Sequence, residues 1–150
     1  MLHLTIRTPV QGDYRSVLAR FDRNLFERLA PPGLRVDIIR FDGSRPGDQV
    51  HIRLVFPLGF RQDWISEITG AGDDGREAWF TDEGRQLPFF LGGWHHRHVV
   101  RSTGSGSEII DEIAFKGPFP GAGLLLWPVL YLQFAARRPV YQAVFGAPPA

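Results

Sequence analysis

A run of six strand-like segments between residues 34 and 115, followed by a single long helical segment, is the feature that most constrains this fold. Residues 34–38 and 50–54 alternate apolar and polar side chains, which is typical of strands with one buried face. Turn-rich stretches separate the six segments. The apolar face of such a sheet must be covered, and one helix covers a wide curved sheet incompletely. The order of elements therefore predicts a cavity between sheet and helix.

The two ends of the chain add one further strand and the helices. Residues 2–7 alternate and predict a strand, while Asp13 and Asp22 are placed to cap two short helices. Apolar residues at helical spacing between 126 and 144 predict a long C-terminal helix, in which Pro128 fits either the first turn or a bend and Pro139 predicts a further break. We predict one α+β domain over residues 1–150, with a curved antiparallel sheet wrapped around the C-terminal helix.

Composition argues against several classes of partner. Lys and Arg number 17 against 16 Asp and Glu, so the chain has no basic excess for a nucleic-acid backbone. Cysteine is absent, which excludes disulfides and thiolate metal sites and, with no signal-peptide pattern, favours a cytoplasmic protein. Residues 117–136 carry no charge, but three prolines and three glycines interrupt them. We therefore expect a buried core helix there, and no transmembrane segment.

Two neighbouring strands carry the residues best suited to chemistry. His96 and His98 share one strand face with Trp94, and Asp111 shares a face of the next strand with three apolar residues. If residues 104–107 form a four-residue loop, His98 lies opposite Ile113 and diagonal to Asp111. In a register two residues shorter, His98 faces Asp111 directly. Either of these registers places both histidines and Asp111 on one face, whereas a loop with an odd number of residues would not.

A histidine beside a buried carboxylate has several interpretations. The pair could bind a ligand carbonyl or exchange protons with it, or it could simply fix the strand register. Two histidines two residues apart could also hold zinc, with Asp111 as third ligand. Many strand histidines bind no metal, so we expect neither a metal nor a cofactor.

Other motifs have plainer explanations. Residues 70–75 match the G-x-G-x-x-G pattern, but a strand follows them and two acidic residues lie within them, which predicts a hairpin turn. No Ser nucleophile elbow is present, and there is no cysteine for covalent hydrolysis. Arg137 and Arg138 either form a solvated helix face, the interpretation we favour, or place positive charge near an acidic ligand group.

An ordered set of short segments extends over nearly the whole chain: Leu29-Ala30-Pro31-Pro32, Trp64 with Glu67-Ile68, Phe80-Thr81-Asp82, Pro88, Trp94-His95-His96-Arg97-His98, and Asp111-Glu112-Ile113-Ala114-Phe115. This set resembles the START-like, or SRPBCC, superfamily with its helix-grip fold. More narrowly, it is similar to small bacterial polyketide-cyclase-like ligand-binding proteins. The resemblance implies an apolar ligand cavity but no single reaction.

The fold order and the resemblance together lead to one principal functional prediction. The chain is expected to bind an apolar small molecule, lipid-like or aromatic and polyketide-like, between the sheet and the C-terminal helix, with residues 84–93 gating the mouth. Ten residues are predicted to line the site: Trp64, Phe80, Trp94, His96, His98, Asp111, Ile113, Phe115, Leu126 and Leu130.

Two alternatives remain open at this point. The first is a cofactor-independent cyclase or dehydratase that uses His96, His98 and Asp111, with His98 as the acid or base and Asp111 orienting it. The second is an interaction module, in which residues 87–91 and 124–127 form an exposed apolar patch for weak contact with a membrane surface or for a homodimer.

Overall fold

A computed structural model describes residues 1–148 and places seven strands in one antiparallel sheet. The strands are β1 (Leu2–Val10), β2 (Arg35–Phe41), β3 (Gln49–Val55), β4 (Arg61–Asp73), β5 (Glu77–Gln86), β6 (Gly93–Thr103) and β7 (Gly106–Lys116). The helices are α1 (Tyr14–Ala19), α2 (Arg23–Arg28), α3 (Ala122–Ala135) and α4 (Arg137–Phe145). The spatial order is β1-β7-β6-β5-β4-β3-β2. The predicted helix-grip arrangement is confirmed, and the last two residues of the predicted domain lie outside the described ones.

The two short helices begin where the sequence predicts them. The Asp13 side chain accepts hydrogen bonds from the backbone N–H groups of Arg15 and Ser16, and Asp22 accepts one from Leu25. Each cap satisfies backbone donors that have no partner within the helix. The caps therefore fix where the two helices begin, and α2 forms one wall of the site.

The β6–β7 hairpin turns through a loop of only two residues, Gly104 and Ser105. This is the shorter of the two predicted registers, and it places His98 directly opposite Asp111. Gly106 begins β7 with φ +152°, and a Cβ at this position would lie 2.5 Å from the carbonyl oxygen of Val10. The close approach of β1 therefore excludes a larger residue there and restrains the hairpin.

The C-terminal helical segment is divided by a break at Ala136. Pro139 lacks a backbone N–H, and in a continuous helix its ring would clash with the carbonyl of Ala135, four residues earlier. The helix α3 ends at that residue. The predicted second break is thus confirmed. Pro128 is the seventh residue of α3, so it lies inside the helix and not in its first turn.

The helices α3 and α4 pack closely against the end of the sheet formed by β1 and β7 and cover the strands at its other end less closely. Leu4 and Ile6 of β1 pack with Leu130 and Phe134 of α3 in one apolar cluster. A second cluster joins α1 and α2 to Tyr141 of α4. None of the helices within residues 1–148 is long and apolar enough to cross a membrane.

Replacing Pro128 with alanine should stabilise the protein. The change supplies a backbone donor for the Leu124 carbonyl and removes the ring from the helix interior, so we expect the free energy of unfolding to rise by about 1–3 kcal/mol. Urea-induced unfolding followed by circular dichroism measures this. Pro120→Ala, in the loop before α3, is the matched control and should change stability little. Equal effects of the two substitutions would show that Pro128 does not strain α3.

Candidate functional site

A cavity of about 350 Å³ lies between the inner face of the sheet and the helices α2 and α3. Most of its walls are apolar, with side chains from five strands, from α2 and from α3. Asp82 of β5 and two histidines of β6 gather near the junction of α3 and α4, and Asp22, Ser44, Ser66 and Gln133 add further polar groups to the lining. The cavity is thus a mainly apolar chamber, and the end near that junction is its polar end.

Seven of the ten residues predicted to line the site do line this cavity: Trp64, Phe80, Trp94, His96, His98, Leu126 and Leu130. They come from β4, β5, β6 and α3. The alternation of inward and outward side chains along each strand, and the apolar positions of the C-terminal segment, placed them correctly. The predicted position of the cavity is therefore close to the observed one.

The three predicted residues on β7 do not line the cavity. Asp111, Ile113 and Phe115 are at most 2% exposed and lie beneath the C-terminal helices. Ile113 and Phe115 belong to the apolar cluster that includes Leu130 and Phe134 of α3. Because α3 and α4 pack tightly over β1 and β7, the open space is displaced towards β2–β6.

Two histidine–carboxylate pairs form the polar end. Nε2 of His98 lies 2.8 Å from Oδ2 of Asp82, and Nε2 of His96 lies 2.9 Å from Oδ1 of Asp111. The centroids of the two imidazole rings are 3.6 Å apart. Trp94 donates from Nε1 to Oδ1 of Asp82 at 3.2 Å. We call Asp82, His96, His98, Asp111, Arg137 and Tyr141 the polar cluster.

The structure corrects the predicted partner of His98. The sequence analysis paired His98 with Asp111, but Nδ1 of His98 is 3.9 Å from Oδ1 of Asp111 while Nε2 turns towards Asp82. Asp82 lies on β5, directly opposite His96, and so reaches His98 diagonally. Asp82 was not among the predicted site residues. Its position two residues after Phe80, on the same strand face, is the signal that could have identified it.

The second correction concerns Arg137, which was expected on a solvated helix face. Its side chain is only 14% exposed, and its guanidinium lies 4.3 Å from the ring centroid of Phe134. Nη1 of Arg137 is 4.0 Å from Oδ1 of Asp111, and the residue lines the cavity. Arg138 is exposed, as expected, and donates to the carbonyl of Arg7. Arg137 therefore places positive charge at the polar end.

Burial and mutual contact shift the pKa values of the polar cluster. Burial and the neighbouring His98 lower the pKa of His96 to about 4. Burial would raise the pKa of Asp111, but the hydrogen bond from His96 and the charge of Arg137 bring it down to about 2. Burial raises the pKa of Tyr141, whose hydroxyl donates to Oδ2 of Asp111 at 3.2 Å. At neutral pH, His96 is thus neutral and Asp111 is ionised.

Asp82 is the second buried carboxylate of the cluster. Burial opposes its ionisation, but the hydrogen bond from His98 and the nearby imidazoles lower its pKa below the usual range. Nδ1 of His98 is also buried, and it has no hydrogen-bond partner within residues 1–148. The cluster therefore holds two carboxylates and an unpartnered ring nitrogen.

The segment predicted as a gate is shorter than expected, because β5 extends to Gln86 and β6 begins at Gly93. Leu91 is buried and Phe90 lines the cavity, whereas Phe89 is 61% exposed. The ring of Phe89 lies 5.9 Å from that of Phe60, which is itself half-exposed. Exposed aromatic groups therefore lie beside the cavity lining, and the gating role stays a prediction.

The glycine pattern at residues 70–75 forms the end of β4 and the turn into β5, as predicted. Asp74 accepts hydrogen bonds from the backbone N–H groups of Arg76 and Glu77. Asp73 is bound by the Arg15 side chain. Both acidic groups are therefore engaged, Asp74 within the turn and Asp73 by α1.

No protein-family model matches the chain, and no curated protein matches it in sequence. Solved structures do resemble it. A protein from Mycobacterium smegmatis gives a TM-score of 0.68 at 17% identity, covering 99% of this chain and 93% of the other. The di-domain ARO/CYC protein StfQ of the steffimycin biosynthetic pathway gives 0.66 at 14%, covering 94% and 50%. A point mutant of norcoclaurine synthase from Thalictrum, in complex with a transition-state analogue, gives 0.60 at 15%, covering 95% and 93%.

The lowered pKa of His96 predicts that acid destabilises the fold. Between about pH 6.5 and pH 4 the unfolded chain binds a proton at this residue that the folded chain does not, so the free energy of unfolding falls by up to about 3 kcal/mol as the pH falls. The depressed pKa values of Asp82 and Asp111 add to the loss at lower pH. Urea unfolding across this pH range measures the slope.

The matched variants are His96→Gln and His95→Gln. Glutamine at 96 can still donate to Asp111 but does not titrate, so the slope between about pH 6.5 and 4 should flatten. His95 lies on the same strand with its side chain on the opposite face, and its variant should keep the slope. Identical slopes in the two variants would contradict the assignment.

Proposed function

We propose that this chain, which has the helix-grip fold of the START-like (SRPBCC) proteins, binds an apolar small molecule in the cavity between its sheet and C-terminal helices. The observation that carries the proposal is a mainly apolar chamber of about 350 Å³ that contains the buried histidines and Asp82 in its wall. That volume is at the lower end of the roughly 300–1,000 Å³ common for small-molecule sites.

The distribution of polar groups indicates the shape of the ligand. Leu25, Ile52, Phe80 and Val129 contribute to walls that give a hydrocarbon or aromatic body favourable burial. The polar cluster at one end would leave buried donors and acceptors unsatisfied if it met apolar atoms alone. The best fit is a lipid-like or aromatic, polyketide-like molecule with one hydrogen-bonding group.

The structural neighbours are consistent with this proposal but do not name the ligand. One is an ARO/CYC protein of a biosynthetic pathway, and another was solved with a transition-state analogue bound. At 14–15% identity they share the fold, and folds of this kind host unrelated functions. The proposal therefore depends on the cavity itself.

Filling the cavity should abolish ligand binding without unfolding the protein. Ser66 lines the cavity and is 8% exposed, so the additional apolar atoms of Ser66→Leu should occupy ligand space. We expect the affinity for a neutral apolar dye, N-phenylnaphthylamine, to fall at least about tenfold, the loss that follows from roughly 1.4 kcal/mol of lost contact. Fluorescence titration measures the affinity.

Ser102→Leu is the matched control, because Ser102 is exposed on β6. It introduces the same atoms outside the cavity and should leave dye affinity unchanged. Native mass spectrometry of the wild-type protein tests for a co-purified molecule. If the dye binds Ser66→Leu as well as it binds wild type, the cavity is not the binding site.

A second candidate function is cofactor-independent acid–base catalysis of the cyclase or dehydratase kind. The observation that favours it is the pair of histidine rings in the cavity wall, each held by a buried carboxylate through Nε2. A carboxylate that accepts from Nε2–H fixes the tautomer and leaves Nδ1 as the basic nitrogen, and each ring would have to turn from the second carboxylate it faces to exchange a proton with a ligand. The roles change accordingly: Asp82 orients His98, and Asp111 orients His96.

The test separates binding from turnover. Wild-type protein and His98→Gln are compared with a panel of enolisable aromatic ketones, with ligand binding followed by dye displacement and products by mass spectrometry. Catalysis predicts that His98→Gln binds a ketone normally but loses at least about 100-fold in rate. If wild type binds ketones and forms no product, the protein is a carrier for this ligand class.

A further inference from the structure

We propose that Asp82, His96 and His98 form a binding site for a divalent metal ion of the zinc type at the polar end of the cavity. The proposal goes beyond ligand binding and does not depend on it. It also revises the sequence-based expectation in two ways. A metal is now expected, and its carboxylate ligand is Asp82 instead of Asp111.

The first observation is that three donor atoms converge. One donor atom from each of the three residues lies within 4.8 Å of the other two. Oδ2 of Asp82 is 2.8 Å from Nε2 of His98 and 3.8 Å from Nδ1 of His96. Ligands at about 2.0–2.1 Å from a tetrahedral ion lie roughly 3.3 Å apart, so both distances from Oδ2 of Asp82 are within about half an ångström of the tetrahedral value.

The second observation is the orientation of His96. Its Nε2 contacts Asp111 at 2.9 Å, which fixes the proton on Nε2 and leaves the lone pair of Nδ1 towards Asp82. A metal-binding histidine almost always donates its other ring N–H to a carboxylate or carbonyl in this way.

The third observation is the unpartnered Nδ1 of His98. While Nε2–H donates to Asp82, Nδ1 is a buried acceptor with no donor, 3.9 Å from another acceptor, Oδ1 of Asp111. Such an arrangement costs free energy. A metal at Nε2 would move the proton to Nδ1, where it points to the Asp111 carboxylate. Metal binding therefore removes the unfavourable contact.

The charged groups of the polar cluster also favour a bound cation. The cluster holds two buried carboxyl groups, those of Asp82 and Asp111, against the single guanidinium of Arg137. Asp111 itself is already engaged by His96 and Tyr141, which makes it an outer partner and not a ligand. The three proposed ligands all line the cavity. Three protein ligands with an open position are typical of catalytic zinc sites.

The test uses the full chain, stripped of metal with a chelator and then titrated with Zn²⁺ or Co²⁺. We expect one ion per chain by elemental analysis after gel filtration, and a visible Co²⁺ absorption of the tetrahedral type. His98→Ala and Asp82→Ala should lose this binding. Asp111→Asn should weaken it by about 10- to 100-fold through the orientation of His96.

His95→Ala is the matched control and should bind metal like wild type. Circular dichroism checks that each variant folds, and X-ray absorption of the loaded wild type counts imidazole ligands independently of any variant. Failure of wild type to bind either ion would overturn the proposal. Unchanged binding in a folded His98→Ala would overturn it as well. Dye binding by the metal-free protein tests the cavity separately, so the two proposals can fail independently.

Discussion

The pairing of two β6 histidines with carboxylates on both flanking strands is the interaction on which the rest of the structure depends. Asp82 and Asp111 are buried charges, and each would cost several kcal/mol without a partner. Only a register that sets His96 against Asp82 and His98 against Asp111 brings all four side chains together. The two-residue turn of the hairpin enforces that register on one side.

The C-terminal helices complete this arrangement. Tyr141 and Arg137 both come from α4, and both reach Asp111 from above the sheet. The break at Ala136 ends α3, and Arg137, the first residue of α4, delivers positive charge to the cluster. Tight cover on this side leaves the space over the other strands open, and one set of contacts therefore fixes both the polar end and the position of the cavity.

The sequence predicted the order of elements well because alternation, caps and turn residues are local signals. The caps at Asp13 and Asp22 and the helical spacing of Leu126 and Leu130 are patterns that involve only a few neighbouring residues. The errors concern residues whose contacts depend on parts of the chain that are distant in sequence. Asp82 reaches His98 only through the pairing of β5 with β6. The burial of Arg137 depends on how α4 packs after the break, which helical spacing alone does not specify.

The stack of rings at the polar end has a spectroscopic consequence. His98 lies between Phe80, at 4.3 Å and nearly parallel, and His96, at 3.6 Å. Carbon-bound protons held over aromatic faces experience ring-current fields that move their magnetic resonances away from those of solvated imidazoles. These resonances therefore report on the cavity. A ligand that disturbs the stacked rings should shift them in a one-dimensional proton spectrum of the unlabelled protein.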